Sequence, residues 1–239
     1  MFSARNLTAA AALACATIAT PAMAGVVVKS SGPSATEYPV GKKLDDAGSV
    51  TLREGDTLTV LTGTGTRVLR GPGTHRIGAR GKSKRTAFAM LTRQRSGARV
   101  RTGAVRGGSG ETPTPVNPNL WNVDVTAPAT MCVPAGEAVG FWRPDSSGAE
   151  TLVLGSTASD FHVHVTFGEG DATTALSLDK LPLEQGLSYE LAGPGGAEPR
   201  KIDFVVLDMV PEDAEGLAVA LAERGCTAQL ELLSDRLAS

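Results

Sequence analysis

The sequence predicts a mainly β protein of two β domains, the second carrying a C-terminal α-helical hairpin. Three observations predict it. Short alternations of apolar and polar residues recur between Gly-rich turns, the pattern of hairpin strands. The stretch 107–119 (GGSGETPTPVNPN) interrupts them with glycines and three prolines, a composition that favours an extended connection. Beyond Pro211 the period changes to that of an amphipathic helix. The division expected is 1–24, 25–106, 107–119 and 120–239: leader, first β domain, linker, and β domain with helix pair.

The leader is read from its composition. Arg5 precedes an uncharged run, Leu7 to Thr20, and Ala22-Met23-Ala24 closes it with small residues. A basic start, an apolar middle too short to span a bilayer and an A-x-A site describe a secretory signal peptide. The expected location is the periplasm, with a mature chain starting at Gly25. A lipoprotein reading of Cys15 fails on Leu13, which is misplaced for a lipobox. No later segment of the sequence has the roughly 18 uncharged apolar residues of a membrane helix, so a soluble mature protein is expected, without a transmembrane segment.

In the first domain Val26-Val27-Val28 opens a strand. Ser49–Arg53, Thr57–Leu61 and Thr66–Arg70 follow, with Glu54-Gly55-Asp56, Gly63-Thr64-Gly65 and Gly71-Pro72-Gly73 as turns. Around residues 83–95, Ala87, Phe88 and Leu91 fall at helical spacing amid basic residues, which predicts a short amphipathic helix.

In the second domain strands are expected over 120–126, 138–143, 151–155, 161–167, 187–192 and 201–208. Pro211 suits a first helical position. Glu212, Asp213 and Glu215 suit the positive end of a helix dipole, and Ala214, Leu217, Ala218 and Leu221 form the apolar stripe. Gly225 is a natural stop, and a second helix from about Thr227 to Leu237 carries Leu230, Leu233 and Leu237. Two cysteines lie outside the leader, Cys132 and Cys226. In an oxidising compartment they are read as a disulfide, Cys132 at a strand end before Pro134 and Cys226 at the joint of the helices.

Charge is divided unevenly. Residues 25–111 hold 16 Lys/Arg against 6 Asp/Glu, and residues 112–239 hold 6 against 19. Arg80, Lys82, Lys84, Arg85, Arg93, Arg95, Arg99, Arg101 and Arg106 are the candidate partner-binding residues. Nucleic acid is not expected outside the cytoplasm. Another envelope protein or an anionic envelope component fits the charge, as does the acidic second half of the chain itself.

The segment Val100-Arg101-Thr102-Gly103-Ala104-Val105-Arg106-Gly107-Gly108 resembles the V-R-T-P-x-A-x-x-x-V-R-G-T signature that closes FecR-type periplasmic β domains. It is shorter between Thr102 and Val105, with Gly103 in place of Pro and Gly108 in place of Thr. The run Leu52–Leu58 (LREGDTL) is similar to the G-D-x-V hairpins of that family. The resemblance spans 26–108 and implies an exported β module that acts through protein contacts. The transmembrane helix and cytoplasmic segment of FecR itself have no counterpart here, so transmembrane signalling is not implied. The carboxyl half resembles no named family.

Candidate chemistry centres on Asp160-Phe161-His162-Val163-His164. On a strand His162 and His164 share a face with Asp160, a geometry that zinc or copper sites use. An apolar-in, polar-out strand explains the same pattern without a metal. The loop Gly78–Ser83 lacks the first glycine of a Walker sequence, because Arg76 occupies that place. Ser177–Lys180 matches S-x-x-K without the partner motifs of that enzyme class. Trp121 and Trp142 read as core residues. No catalytic residue and no cofactor are expected. The sequence favours a non-catalytic envelope protein acting as an interaction or regulatory module. The alternatives are a metal-binding periplasmic protein using His162 and His164, and an enzyme with an unrecognised interdomain site.

Overall fold

The valine run that opens the first domain is buried on both faces, and the fold explains why. The computed structural model describes residues 23–45, 47–63, 65–78, 85–93, 115–177, 179–181, 183, 188–195 and 198–238. Strands β1 (Met23–Ser31), β2 (Lys43–Asp45), β4 (Thr57–Thr62) and β5 (Gly65–Arg70) form an antiparallel sheet in the order β2-β1-β4-β5. A separate ribbon pairs β3 (Ser49–Leu52) with β6 (Gly73–Arg76). Val27, Leu58, Val60 and Leu69 meet Val50 and Leu52 of that ribbon in one core. Val26, Val28 and Leu61 point the other way, into a second core built with helices. A strand covered on both sides loses the alternation that a half-exposed strand shows.

Strands β2 and β6 are additions to the expected set. Neither carries a readable period: β2 is a single apolar residue between two charges, and β6 (GTHR) has none. Backbone pairing to β1 and β3 holds them.

The turn between β3 and β4 is fastened by Asp56, only 3 % exposed. Its carboxylate accepts from the Ser34 amide at 2.9 Å and from the Arg53 amide, tying the loop after β1 to the turn. Burial opposes ionisation there, but these hydrogen bonds outweigh it and hold the carboxyl below its ordinary value.

The second half is a sandwich. Strands β10 (Glu150–Ser156), β11 (His162–Phe167), β13 (Ser188–Ala192), β14 (Arg200–Leu207) and β8 (Ala129–Pro134) form a sheet in the order β11-β10-β13-β14-β8. Against it lies a smaller sheet, β12-β9-β7, built from β7 (Asn122–Asp124), β9 (Val139–Trp142) and β12 (Thr173–Leu176). Leu152, Leu154, Val165, Phe167, Tyr189 and Phe204 from the large sheet pack on Val123, Val139 and Phe141 from the small one. β8 and β12 also go beyond the expected set. β8 pairs in parallel with β14, and Pro134 is its last residue. Its inner side meets the sandwich and its outer side meets a helix, so from Met131 to Pro134 it reads as a continuous apolar run.

The helices are α1 (Arg85–Thr92), α2 (Ala214–Glu223) and α3 (Thr227–Ala238). Pro211 lies outside α2. Asp213 is the N-cap instead, accepting from the Gly216 amide at 2.7 Å, because a carboxylate there satisfies a first-turn donor that Pro211 would leave open. Gly225, at φ 73°, ends the helix in the left-handed conformation that favours glycine. Leu217, Leu221, Leu230, Leu233 and Leu237 share one core with Val26 and Leu61 of the first sheet and with Leu207 and Cys132 of the second. The helix pair therefore has a β unit on each side.

Asp56 makes stability depend on acid in a defined direction. Its depressed folded value means that its contribution is complete above the ordinary 3.8 and is lost as pH falls through the lower folded value. Asp56→Asn should melt at a lower temperature than the parent at neutral pH, with the gap closing in strong acid. Thermal melts across that range check this, and a gap independent of pH would contradict it.

Candidate functional site

Three groups of residues were singled out by sequence, and the structure places them in different surroundings. The first is the histidine pair. His162 and His164 are both exposed and on the same face of β11, while Val165 and Phe167 are buried on the other. Their rings lie 6.0 Å apart at 70°. Asp160 precedes the strand, and His162 Nδ1 is 3.2 Å from its backbone carbonyl oxygen rather than from its carboxylate. His75 lies on β6, its Nε2 2.9 Å from the Arg70 carbonyl oxygen. Among the described residues no group of three or more His, Cys, Asp or Glu side chains is assembled to hold a metal. The described residues of a single chain thus bring two imidazoles together and no third ligand.

The sheet face around the pair is polar. The register sets Gly155 beside His162 and Glu190 beyond it on β13. Lys201 follows on β14 and pairs with Asp203 at 3.1 Å in the open. The Ser188 hydroxyl also donates to Asp203, and this bond is the main reason that carboxyl sits below its ordinary value.

The second group is basic. Arg80, Lys82, Lys84, Arg95, Arg99, Arg101 and Arg106 lie outside the described residues, as does the Val100–Gly108 segment. Arg85 begins α1, and Arg93 follows it, exposed. α1 buries Leu91 and packs Ala87 and Phe88 partly against the helical core, leaving Thr86, Ala89 and Met90 outward. Trp121 closes its last turn by donating its indole N–H to the Thr92 carbonyl at 2.8 Å. Both tryptophans are core residues, 2 % and 7 % exposed for Trp121 and Trp142.

The third group is the cysteine pair, which is bonded: Cys132 and Cys226 are joined, with Cα atoms 5.9 Å apart. Cys226 also stands directly before α3, its carbonyl accepting from the Leu230 amide at 3.1 Å. One helical turn on stands Gln229, buried although polar. Its Oε1 accepts from the Cys132 amide at 2.7 Å, and its Nε2 donates to the carbonyls of Cys132 and Leu120 at 2.9 Å each. The side-chain amide thereby supplies the outer edge of β8 with the bonds a neighbouring strand would give. Sequence reading missed Gln229. The available signal was a lone amide three residues after Cys226, beside the leucine stripe.

Two further features are structural. Arg143, 4 % exposed, donates to the carbonyls of Asp171, Gly148 and Gly168, meets Glu150 at 3.4 Å and stacks over the Phe167 ring. Its donors bind two loops to the sandwich rather than facing a cleft. A crevice between β1 and α3, lined by Val28, Lys29, Glu231, Ser234 and Asp235, has a volume of about 50 Å³. Ligand pockets are several times larger.

The fastening at β8 generates a paired expectation. For a separation of 94 residues, loop-closure entropy assigns the disulfide about 4–5 kcal/mol. Cys132→Ser should lose stability of that order in denaturant melts. Gln229→Leu strands two backbone carbonyls and an amide in the core and should cost roughly 2–4 kcal/mol with the disulfide intact. A Leu variant as stable as the parent would refute the strand-like role of Gln229.

No family profile, no curated protein and no solved structure matches this chain.

Proposed function

We propose that the chain is an exported, non-catalytic interaction or regulatory module of the cell envelope, working in the periplasm, with an N-terminal half of the FecR type. The observation that carries this reading is the Cys132–Cys226 bond at the centre of the helical core. A disulfide holding a core together belongs in an oxidising compartment, in agreement with the leader composition of residues 1–24. The described polar groups support a scaffold role: Arg143, Asp56 and Gln229 are committed to loops, turns and a strand edge.

The contact surface is the side bearing α1. Its outward residues include Met90, 67 % exposed, and the helix sits in sequence between the two basic stretches. An apolar spot flanked in sequence by basic stretches suits an acidic protein surface or an anionic envelope component. Proximity crosslinking in the native envelope tests this. Neutralising the nine Lys and Arg residues between 80 and 106 should remove the parent's crosslinked partners while leaving the disulfide and the melting temperature unchanged. Identical crosslinks in both proteins, or recovery from the cytosol with the leader intact and both thiols free, would overturn the reading.

A further inference from the structure

We infer that β11 is a self-pairing edge, and that two copies of the chain joined through it form a metal site of four imidazoles, His162 and His164 from each. The argument starts from edges. An unpaired strand edge invites another strand unless it is short, charged, bulged or covered. Among the described residues, β2 and β5 carry Lys43, Asp45, Arg67 and Arg70, β7 and β12 are three and four residues long, and β8 is capped by Gln229. β11 (HVHVTF) is neither short, charged nor bulged, and no described strand pairs with its outer edge: it holds six residues, no Lys, Arg, Asp, Glu or Pro, and a register with β10 that runs unbroken from Glu150–Phe167 to Gly155–His162.

The ladder fixes which groups face outward. The Ser156 amide donates to the Phe161 carbonyl at 2.8 Å. By antiparallel alternation, Phe161, Val163, Val165 and Phe167 turn their backbone groups to β10. His162, His164 and Thr166 therefore turn theirs to the open edge. A second β11 can pair with His162 opposite His164 and His164 opposite His162, its two-fold axis passing between the two copies of Val163. In that register all four imidazoles lie on the same, exposed face.

Spacing suits a metal. Residues two apart on a strand are separated by about 6.8 Å and hydrogen-bonded cross-strand partners by about 5.5 Å. The four Cα atoms then form a rectangle whose centre is about 4.4 Å from each corner, within reach of a histidine side chain. Zinc takes four such ligands in tetrahedral geometry. The described residues of one chain offer two, and the carboxylate in that row, Glu190, stands two strands away on β13. Gly155, with only the Phe161 carbonyl within 4 Å of where a Cβ would stand, leaves room beside His162 for its ring to turn. Pairing also covers Phe161 and Val163, which are only partly buried on the inner side while Val165 and Phe167 are fully so.

Sedimentation velocity of the untagged full chain, stripped with EDTA and then given zinc, tests the inference. The expected result is a shift from one chain to two at half an equivalent of zinc per chain, reversed by EDTA. His162→Ala and His164→Ala should each abolish the zinc-dependent shift without altering the melting temperature, since both side chains are exposed. Val163→Lys keeps all the imidazoles but opposes two like charges on the axis, and should also stay monomeric with zinc. The inference is overturned if zinc leaves the mass at one chain, if the double alanine variant dimerises as the parent does, or if a folded Val163→Lys chain still pairs.

Discussion

The structure depends on one fastening, where α3 meets the outer edge of β8. A covalent bond at Cys226 and three hydrogen bonds from Gln229 act on the same residue, Cys132, and on Leu120 beside it. Buried backbone groups cannot be left unpaired without a penalty, and an edge strand beneath a helix has no neighbour to pair with. A glutamine one turn into the helix resolves that conflict, while the disulfide holds the helix at the distance the amide needs. The leucines of α2 and α3 can then face the first sheet on one side and the sandwich on the other. Without the fastening, the backbone groups of Cys132 on the outer edge of β8 would lose the partners that Gln229 gives them.

Much of the architecture was legible because it obeys simple periods. The strands at Thr57, Glu150 and His162 alternate and were found, as were α1 and the helix pair with its glycine stop. What escaped reading did so for physical reasons. β6 has no apolar residue, so tertiary pairing alone makes it a strand. β8 is covered on both faces and alternates nowhere. Pro211 looked like a helix start, yet Asp213 can satisfy a first-turn amide and Pro211 cannot. The roles of Gln229 and Arg143 depend on residues some hundred positions away or on loop carbonyls, neither of which local pattern encodes.

The same distinction applies to function. The His162–His164 pair was visible from its spacing, and Asp160 was read with it as a further ligand, but among the described residues no third side chain joins the imidazoles. That the pair stands on an unguarded sheet margin was not visible, because edge or centre is decided by long-range strand order. The cationic positions were visible as a cluster, and α1 shows how part of that region is anchored: Leu91 inward, Trp121 locking the last turn, Met90 outward. Surface charge and a sheet margin are the two features of the described residues that the proposed contact role draws on.

One consequence follows from the company kept by β1. Val26 and Val28 near the start of the described chain share their core with Leu233 and Leu237 near its end. Ribosomal synthesis delivers those leucines about two hundred residues after the valines, so the helix-facing side of the first sheet stays bare until they have emerged. The usual order, in which an amino-terminal unit matures while the remainder is still being made, can serve the core around Val27 but not this face of the sheet. The face that α3 covers is completed only when its leucines arrive, whatever the first sheet has formed before them.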